Sequence, residues 1–133
     1  MKLGDERIHS DLVNRISKNK NIIIKGNPNI KRSFCYISDV ISGILTIILK
    51  GKKNESYNLA NPKEMYKIKE LAKLVLSIQS NKNLKIKKIK KKIKRLDFIY
   101  PTPSIEKLIR LGWTPKVNVK NGFRDTLEFF KKN

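Results

Sequence analysis

The stretch that most constrains this chain is 40–50, Val-Ile-Ser-Gly-Ile-Leu-Thr-Ile-Ile-Leu-Lys. Val40, Ile41, Ile44, Leu45, Ile47, Ile48 and Leu49 fall on more than one face of a helix, so the spacing predicts the most buried element of the fold. The run is too short to span a bilayer, which takes about 18–20 consecutive apolar residues, and no other run in the chain reaches that length. Ser38 or Asp39 can cap the start of this helix by accepting backbone N–H bonds, and Gly51 fits its end.

The rest of the chain must surround that helix. Ile8, Leu12, Val13 and Ile16 form a helical stripe over residues 6–18, followed by a short buried strand at 21–25. Gly26-Asn-Pro-Asn29 is turn chemistry, because Gly and Asn tolerate positive φ and Pro fixes its own. A second extended piece, 30–37, makes 22–37 a hairpin-like unit. Residues 55–59 read as another strand and 60–63 as a turn. An amphipathic helix follows over 67–80, carrying Ile68, Leu71, Leu74, Val75 and Ile78. In 82–95, Leu84, Ile86, Ile89 and Ile93 fit a strand leading into a loop or short helix. Residues 100–104, Tyr-Pro-Thr-Pro-Ser, form a stiff connection. Ser104 and Glu106 open a short helix ending at Leu111-Gly112, and a last helix over 119–131 puts Phe123, Leu127 and Phe130 on one side. Helices alternate with short strands, with no repeat and no linker, which describes a single α/β domain.

Charge invites a different reading. The 133 residues carry 31 Lys or Arg against 11 Asp or Glu, a formal charge of +20, and clustered cations bind phosphate backbones by releasing counterions. Yet Lys supplies 25 of the 31 cations, and Lys, Ile and Asn together make 57 of the 133 residues. All three have A/T-rich codons, so a low-GC genome produces this bias without selection for a partner. Arg, which forks onto phosphates and guanine, occurs six times. The dense stretch 82–95 is read as a solvated face whose Lys stems cover apolar surface, with an anion-binding stripe as the alternative. One Cys and one His exclude a disulfide framework and an all-protein zinc cage. The first ten residues turn acidic and polar at once, unlike a signal peptide, which points to the cytoplasm.

No catalytic constellation emerges. Glycines 4, 26, 43, 51, 112 and 122 are too dispersed for a phosphate-cradling turn. His9 and Cys35 lie on separate elements and lack an orienting third group, so a surface His and a buried structural Cys are expected. No catalytic or metal-ligating residue is expected. What remains is anion recognition. Lys25-Gly26 at a strand end and Arg32 across the turn bring two cations to one side of the 22–37 unit. Arg95 and Asp97 supply a fork donor and an acceptor suited to a diphosphate and a ribose hydroxyl.

The order of short motifs is more specific than any of them singly. Gly4-Asp-Glu-Arg7, Ile24-Lys-Gly26, Lys31-Arg-Ser-Phe-Cys-Tyr-Ile-Ser-Asp39, Tyr57-Asn-Leu-Ala-Asn-Pro62, Ile68-Lys-Glu-Leu-Ala72, Leu111-Gly-Trp-Thr-Pro-Lys116 and Asn121-Gly-Phe123 occur in one series. This series resembles the C-terminal part of the extended short-chain dehydrogenase/reductase family, the NAD-dependent nucleotide-sugar epimerases and dehydratases. The branch it is most similar to contains UDP-glucuronate decarboxylases and dTDP-glucose 4,6-dehydratases.

The resemblance implies a small C-terminal sugar-nucleotide-binding lobe, α/β and mostly helical with short strands, spanning 1–133 and lacking the Rossmann half. It implies that Arg32 contacts the nucleotide diphosphate and that Lys25 and Gly26 lie beside the base. Arg95 and Asp97 approximate an R-x-x-D loop reaching the diphosphate and ribose, although the spacing here is R-L-D and Lys94 is an alternative to Arg95. Asp39 is implied to be a helix cap and Trp113 a packing residue.

The family's NAD chemistry uses a glycine-rich turn and a Tyr-x-x-x-Lys pair. Here Val40, Asn61, Glu70 and Ser104 stand four residues after the four tyrosines. The expectation is therefore a separated lobe from a split or truncated gene or a partial sequence. It binds a UDP- or dTDP-linked sugar, binds no cofactor itself and is inactive alone, with NAD implied for the full-length relatives. Its expected partners are a separately encoded Rossmann half or a second copy, with no membrane. The first helix and the 30–50 region are then expected to expose apolar residues. A basic nucleic-acid-binding module is the alternative, although the basic stretch lacks the interleaved aromatics on which bases stack.

Overall fold

The computed structural model describes residues 7–79, 83–89 and 103–132. Along the chain run α1 (Ile8–Ser17), β1 (Ile22–Lys25), β2 (Lys31–Ser33), α2 (Ile37–Lys50), β3 (Met65–Lys67), α3 (Ile68–Ile78), β4 (Ile86–Ile89), α4 (Glu106–Arg110) and α5 (Val119–Lys132). The alternation of helices with short strands expected from periodicity is present.

The chain divides into two compact units. The first is built from Met1–Lys31, Tyr66–Ile99 and Lys120–Asn133, and the second from Arg32–Met65 and Tyr100–Val119.

The first unit is a parallel strand pair under helices. β1 pairs with β4 in parallel, Ile22 opposite Ile86 and Lys25 opposite Ile89. Parallel neighbours require a long crossover, and here it contains α2 and α3. Leu12, Val13 and Ile16 of α1, Ile22 and Ile24 of β1, and Leu71 and Val75 of α3 are all sealed from solvent. These are the positions that 3.6- and 2-residue periodicity selects. Phe123 and Leu127 of α5 are buried as expected. Two expectations change here. β1 and β2 belong to different sheets, since β2 pairs with β3, so 22–37 is not hairpin-like. Helix α1 does not expose its apolar stripe, because Leu12, Val13 and Ile16 turn into the core of this unit.

The second unit has a small core of Ala60, Ile105, Leu108 and Trp113, with Cys35, Ile47, Tyr57, Leu59 and Leu111 packed around it. Helix α2 reaches this core through a narrow face. Among its residues only Asp39 and Gly43 are buried, whereas Ile37, Ile41, Ile44, Leu45, Ile48 and Leu49 are 47–79% exposed. The helix expected to be the most buried is thus, among the described residues, the one that shows solvent the most large apolar surface. The reason is steric. A Cβ on Gly43 would lie 2.8 Å from Leu59 Cδ1 and 3.1 Å from Trp113 Cε2, so the Trp113 side approaches α2 where it has no side chain.

The helix also begins earlier than expected. Tyr36 is its N-cap and makes no side-chain cap bond. Residues 55–60 form no strand, but are held by side chains: the Lys52 amide donates to Tyr57 Oη at 2.9 Å and Asn58 Nδ2 donates to the Ser104 carbonyl at 3.1 Å.

Candidate functional site

In the first unit, the 26–30 turn is fixed against the start of α3. Gly26 adopts φ +93°, a conformation that costs a residue with a Cβ about 1 kcal/mol or more. The Asn29 amide donates to Asn27 Oδ1 at 2.8 Å, closing an Asx turn. The amides of Ile68 and Lys69 donate to the carbonyls of Ile30 and Pro28, both at 3.0 Å, and the Lys67 amide donates to Glu70 Oε2 at 3.0 Å. Lys25 stands exposed at the end of β1 just before this turn. Two first-turn amides of α3, those of Ile68 and Lys69, are therefore engaged by the chain's own carbonyls.

In the second unit, Arg32 lies half-buried in β2. Its neighbours are anchored by Ser33 Oγ, which donates to the Asn61 carbonyl at 2.9 Å, and by the Phe34 amide, which donates to the Glu64 carbonyl at 3.1 Å. Of the five expected site residues, Lys25 and Gly26 thus belong to one unit and Arg32 to the other. Arg95 and Asp97 lie outside the described residues, as do Lys94 and Ile93. Lys85, Lys87 and Lys88, at the described end of the basic stretch, are exposed.

Sequence reasoning missed the carboxylates that shape the second unit. Asp39, expected as a cap, is 4% exposed, and its Oδ2 accepts the amides of Lys116 and Val117 at 3.0 and 2.9 Å. Glu64 Oε2 accepts the Val119 amide at 2.8 Å, and Trp113 Nε1 donates to Ser42 Oγ at 3.0 Å. A signal was present: a carboxylate set in an otherwise apolar helix has to find donors if it is buried. Lys107 pairs with Glu55, and its hydrogen bond and charge hold that carboxyl below its ordinary value. Trp113 is a packing residue, as expected.

Cys35 is half-buried beside this core. Burial, reinforced by the negative charge of Asp39, pushes its thiol up to about 11 from an ordinary 9.0. The thiolate is the reactive form, so at pH 8 iodoacetamide should alkylate the folded chain about 100-fold more slowly than the unfolded chain. The rate should climb with pH until about 11. A raised folded-state value favours the folded state below pH 9, and that contribution is lost as pH rises towards 11. Equal alkylation rates with and without denaturant would contradict this placement.

A surface cleft of about 540 Å³ in the first unit is lined by Arg15, Lys20 and Lys87 with Asn19, Asn21 and Asn83. Three of these groups already have structural partners. Arg15 Nε donates to Asp11 at 2.8 Å, the Lys85 amide donates to Asn21 Oδ1 at 2.8 Å, and Gln79 Nε2 donates to Asn19 Oδ1 at 3.2 Å. Of the expected site residues that are described, Lys25, Gly26 and Arg32, none lines it. Among the described residues no three His, Cys, Asp or Glu side chains meet as a metal site, and no helix is long and apolar enough to cross a membrane.

Comparison with known proteins decides the family. Residues 2–60 match the NAD dependent epimerase/dehydratase family. Across 133 aligned residues the chain is 31% identical to human dTDP-D-glucose 4,6-dehydratase. This sequence belongs with the NAD dependent epimerases and dehydratases. UDP-glucuronic acid decarboxylase 1 of Danio rerio is 26% identical over 99% of this chain. The UDP-glucose 4-epimerase of Thermotoga maritima, solved with UDP-glucose, superposes with a TM-score of 0.80 at 25% identity over 97% of this chain.

The chain spans only part of these proteins: 37% of the human dehydratase, 31% of the decarboxylase and 40% of the epimerase chain. It is a fragment of the extended short-chain dehydrogenase/reductase fold. Its described residues do not form the strand, glycine turn and helix that hold a dinucleotide. β1 runs through Gly26 into the 27–29 turn and β2, and the Ile68 and Lys69 amides of α3 are already bonded.

Proposed function

We propose that this chain is the nucleotide-sugar-binding lobe of a two-part epimerase, dehydratase or decarboxylase, acting in the cytoplasm and inactive alone. The observation that carries the reading is the match to sugar-nucleotide enzymes along nearly the whole chain, in residues that contain neither a glycine-rich turn nor a Tyr-x-x-x-Lys pair. In this reading Arg32 engages the diphosphate of a UDP- or dTDP-linked sugar, and Lys25-Gly26 borders the base. Arg95 and Asp97 meet the diphosphate and ribose. Guanidinium suits this task because its planar fork pairs with two phosphate oxygens at once. NAD supplies the hydride chemistry of the complete enzyme from a separately encoded half or a second copy, and this lobe contributes binding and orientation.

Isothermal titration with UDP-glucose and dTDP-glucose tests the reading. Weak saturable binding is expected, and Arg32→Ala should abolish it over the millimolar range. No heat at millimolar ligand with either nucleotide sugar would overturn it. The charge of +20 favours one other reading, a nucleic-acid module. That reading requires duplex binding that falls steeply between 50 and 200 mM salt, by about a thousandfold or more for six or more phosphate contacts.

A further inference from the structure

The cleft in the first unit is built around the turn that leaves α1 for β1. Ile23 and Leu84 supply its apolar part, and Ile23 stands opposite Lys87 across the parallel strand pair. In the turn Asn19 holds φ +52°. The amides of Lys18, Lys20 and Asn19 donate to the carbonyls of Asn14, Arg15 and Ile16 at 3.3, 2.8 and 3.0 Å. These carbonyls at the end of α1, which would repel an anion, are therefore occupied. The side chains follow the same pattern. Asn21 Oδ1 accepts the Lys85 amide at 2.8 Å, and Asn19 Oδ1 accepts Gln79 Nε2 at 3.2 Å. With its oxygen taken, each amide has its Nδ2 hydrogens left to offer. Arg15 gives Nε to Asp11 and keeps its two Nη groups as donors.

Lys20 and Lys87 are exposed, and neither pairs with a carboxylate among the described residues. Ammonium groups donate and never accept. Segments 11–21 and 83–89 together hold six cations and one carboxylate, Asp11. Codon bias scatters lysines over a surface, but it does not tie up the oxygens of two asparagines and leave their donors. We propose that this cleft binds a small phosphate-bearing anion of the diphosphate or longer polyphosphate class. Phosphoryl oxygens accept and do not donate, which complements such a lining. Lys20 on the turn and Lys87 on β4 belong to different walls, so a ligand that meets both carries charge on more than one phosphorus. A cleft of about 540 Å³ is of small-molecule size. Lys25, Gly26 and Arg32 do not line it, so the site is additional to the one proposed around them.

The test titrates pyrophosphate into the isotope-labelled chain at physiological ionic strength and follows the Asn19 and Asn21 side-chain amides by NMR. Saturable shifts of both are expected at millimolar pyrophosphate or below. Lys87→Gln should weaken binding at least about tenfold. Asn21→Asp keeps an oxygen for the Lys85 amide but exchanges the donor for a carboxylate, so binding should be lost over the same range. Lys87 is exposed, so its variant should melt with the parent even if Asn21→Asp loosens the turn. Lys53→Glu, exposed in the second unit, changes the net charge more than either and should leave the affinity within about twofold.

Unmoved Asn19 and Asn21 signals at millimolar pyrophosphate overturn the proposal, whatever moves elsewhere in the spectrum. Equal losses of affinity in Lys53→Glu and Lys87→Gln also overturn it, because they would show general charge attraction rather than a site. Duplex DNA that moves the same two signals at a lower phosphate concentration than pyrophosphate overturns it as well, and assigns the cleft to a nucleic-acid backbone.

Discussion

Trp113→Ala should lower the free energy of unfolding by about 3–5 kcal/mol, read as a fall of one molar or more in the urea midpoint. The indole is 4% exposed and sits in the core of Ala60, Ile105 and Leu108, facing the one position in α2 with no side chain. Removing it deletes a large apolar surface and leaves a cavity walled by groups that cannot collapse, because Gly43 has nothing to extend into the gap. It also strips Ser42 Oγ of the Nε1 donor. Trp113→Phe separates the two contributions. The ring is largely kept and the hydrogen bond is lost, so a cost of about 1–2 kcal/mol is expected. A loss below about 1 kcal/mol for Trp113→Ala would mean that the second unit is not organised around this residue.

The second large effect is in the first unit. Leu71→Ala should cost about 2–5 kcal/mol, since Leu71 is 0% exposed on the face of α3 that meets α1 and β1. The same chemical change at Leu49, which is 79% exposed, should move stability by no more than about 0.5 kcal/mol. Both leucines sit in helices and alanine favours helix at both, so the contrast isolates burial from propensity. Comparable losses at the two sites, measured by urea denaturation, would show that Leu49 is covered in the free chain.

The contrast between Leu71 and Leu49 also shows what the sequence can convey. Helices α1, α3 and α5 each carry one apolar face, so periodicity alone identifies both the helix and its inward side. Helix α2 is apolar around most of its circumference, and its pattern cannot say which face is inward. Gly43 and Asp39 decide it, one by allowing close approach and the other by receiving the Lys116 and Val117 amides. Both depend on residues about 70 positions away. Residues 55–59 looked like a strand because alternation belongs to a single segment, whereas a strand also needs a ladder partner. β3 escaped notice because three residues, Met-Tyr-Lys, are too few to carry a period. Of the candidate site, Arg32 and Lys25-Gly26 are proposed from motif order. The surroundings of Arg32, set by Ser33, Phe34, Asn61 and Glu64, follow from long-range bonds that no local pattern encodes.

The segments of the two units alternate along the chain, and this has a consequence for how the protein is made. A nascent chain that has emerged as far as Ile89 contains neither unit whole, since the second lacks α4 and Trp113 and the first lacks α5. Helix α2 must wait for Trp113, 63 residues beyond Lys50, which takes roughly 3–13 s at ribosomal rates of about 5–20 residues per second. During that interval even its packed face has no core to join. The second unit becomes complete when Val119 emerges, and the first only with the last helix. Neither unit can be obtained by simple truncation, and the interval before Trp113 arrives is when a nascent-chain chaperone has most to shield.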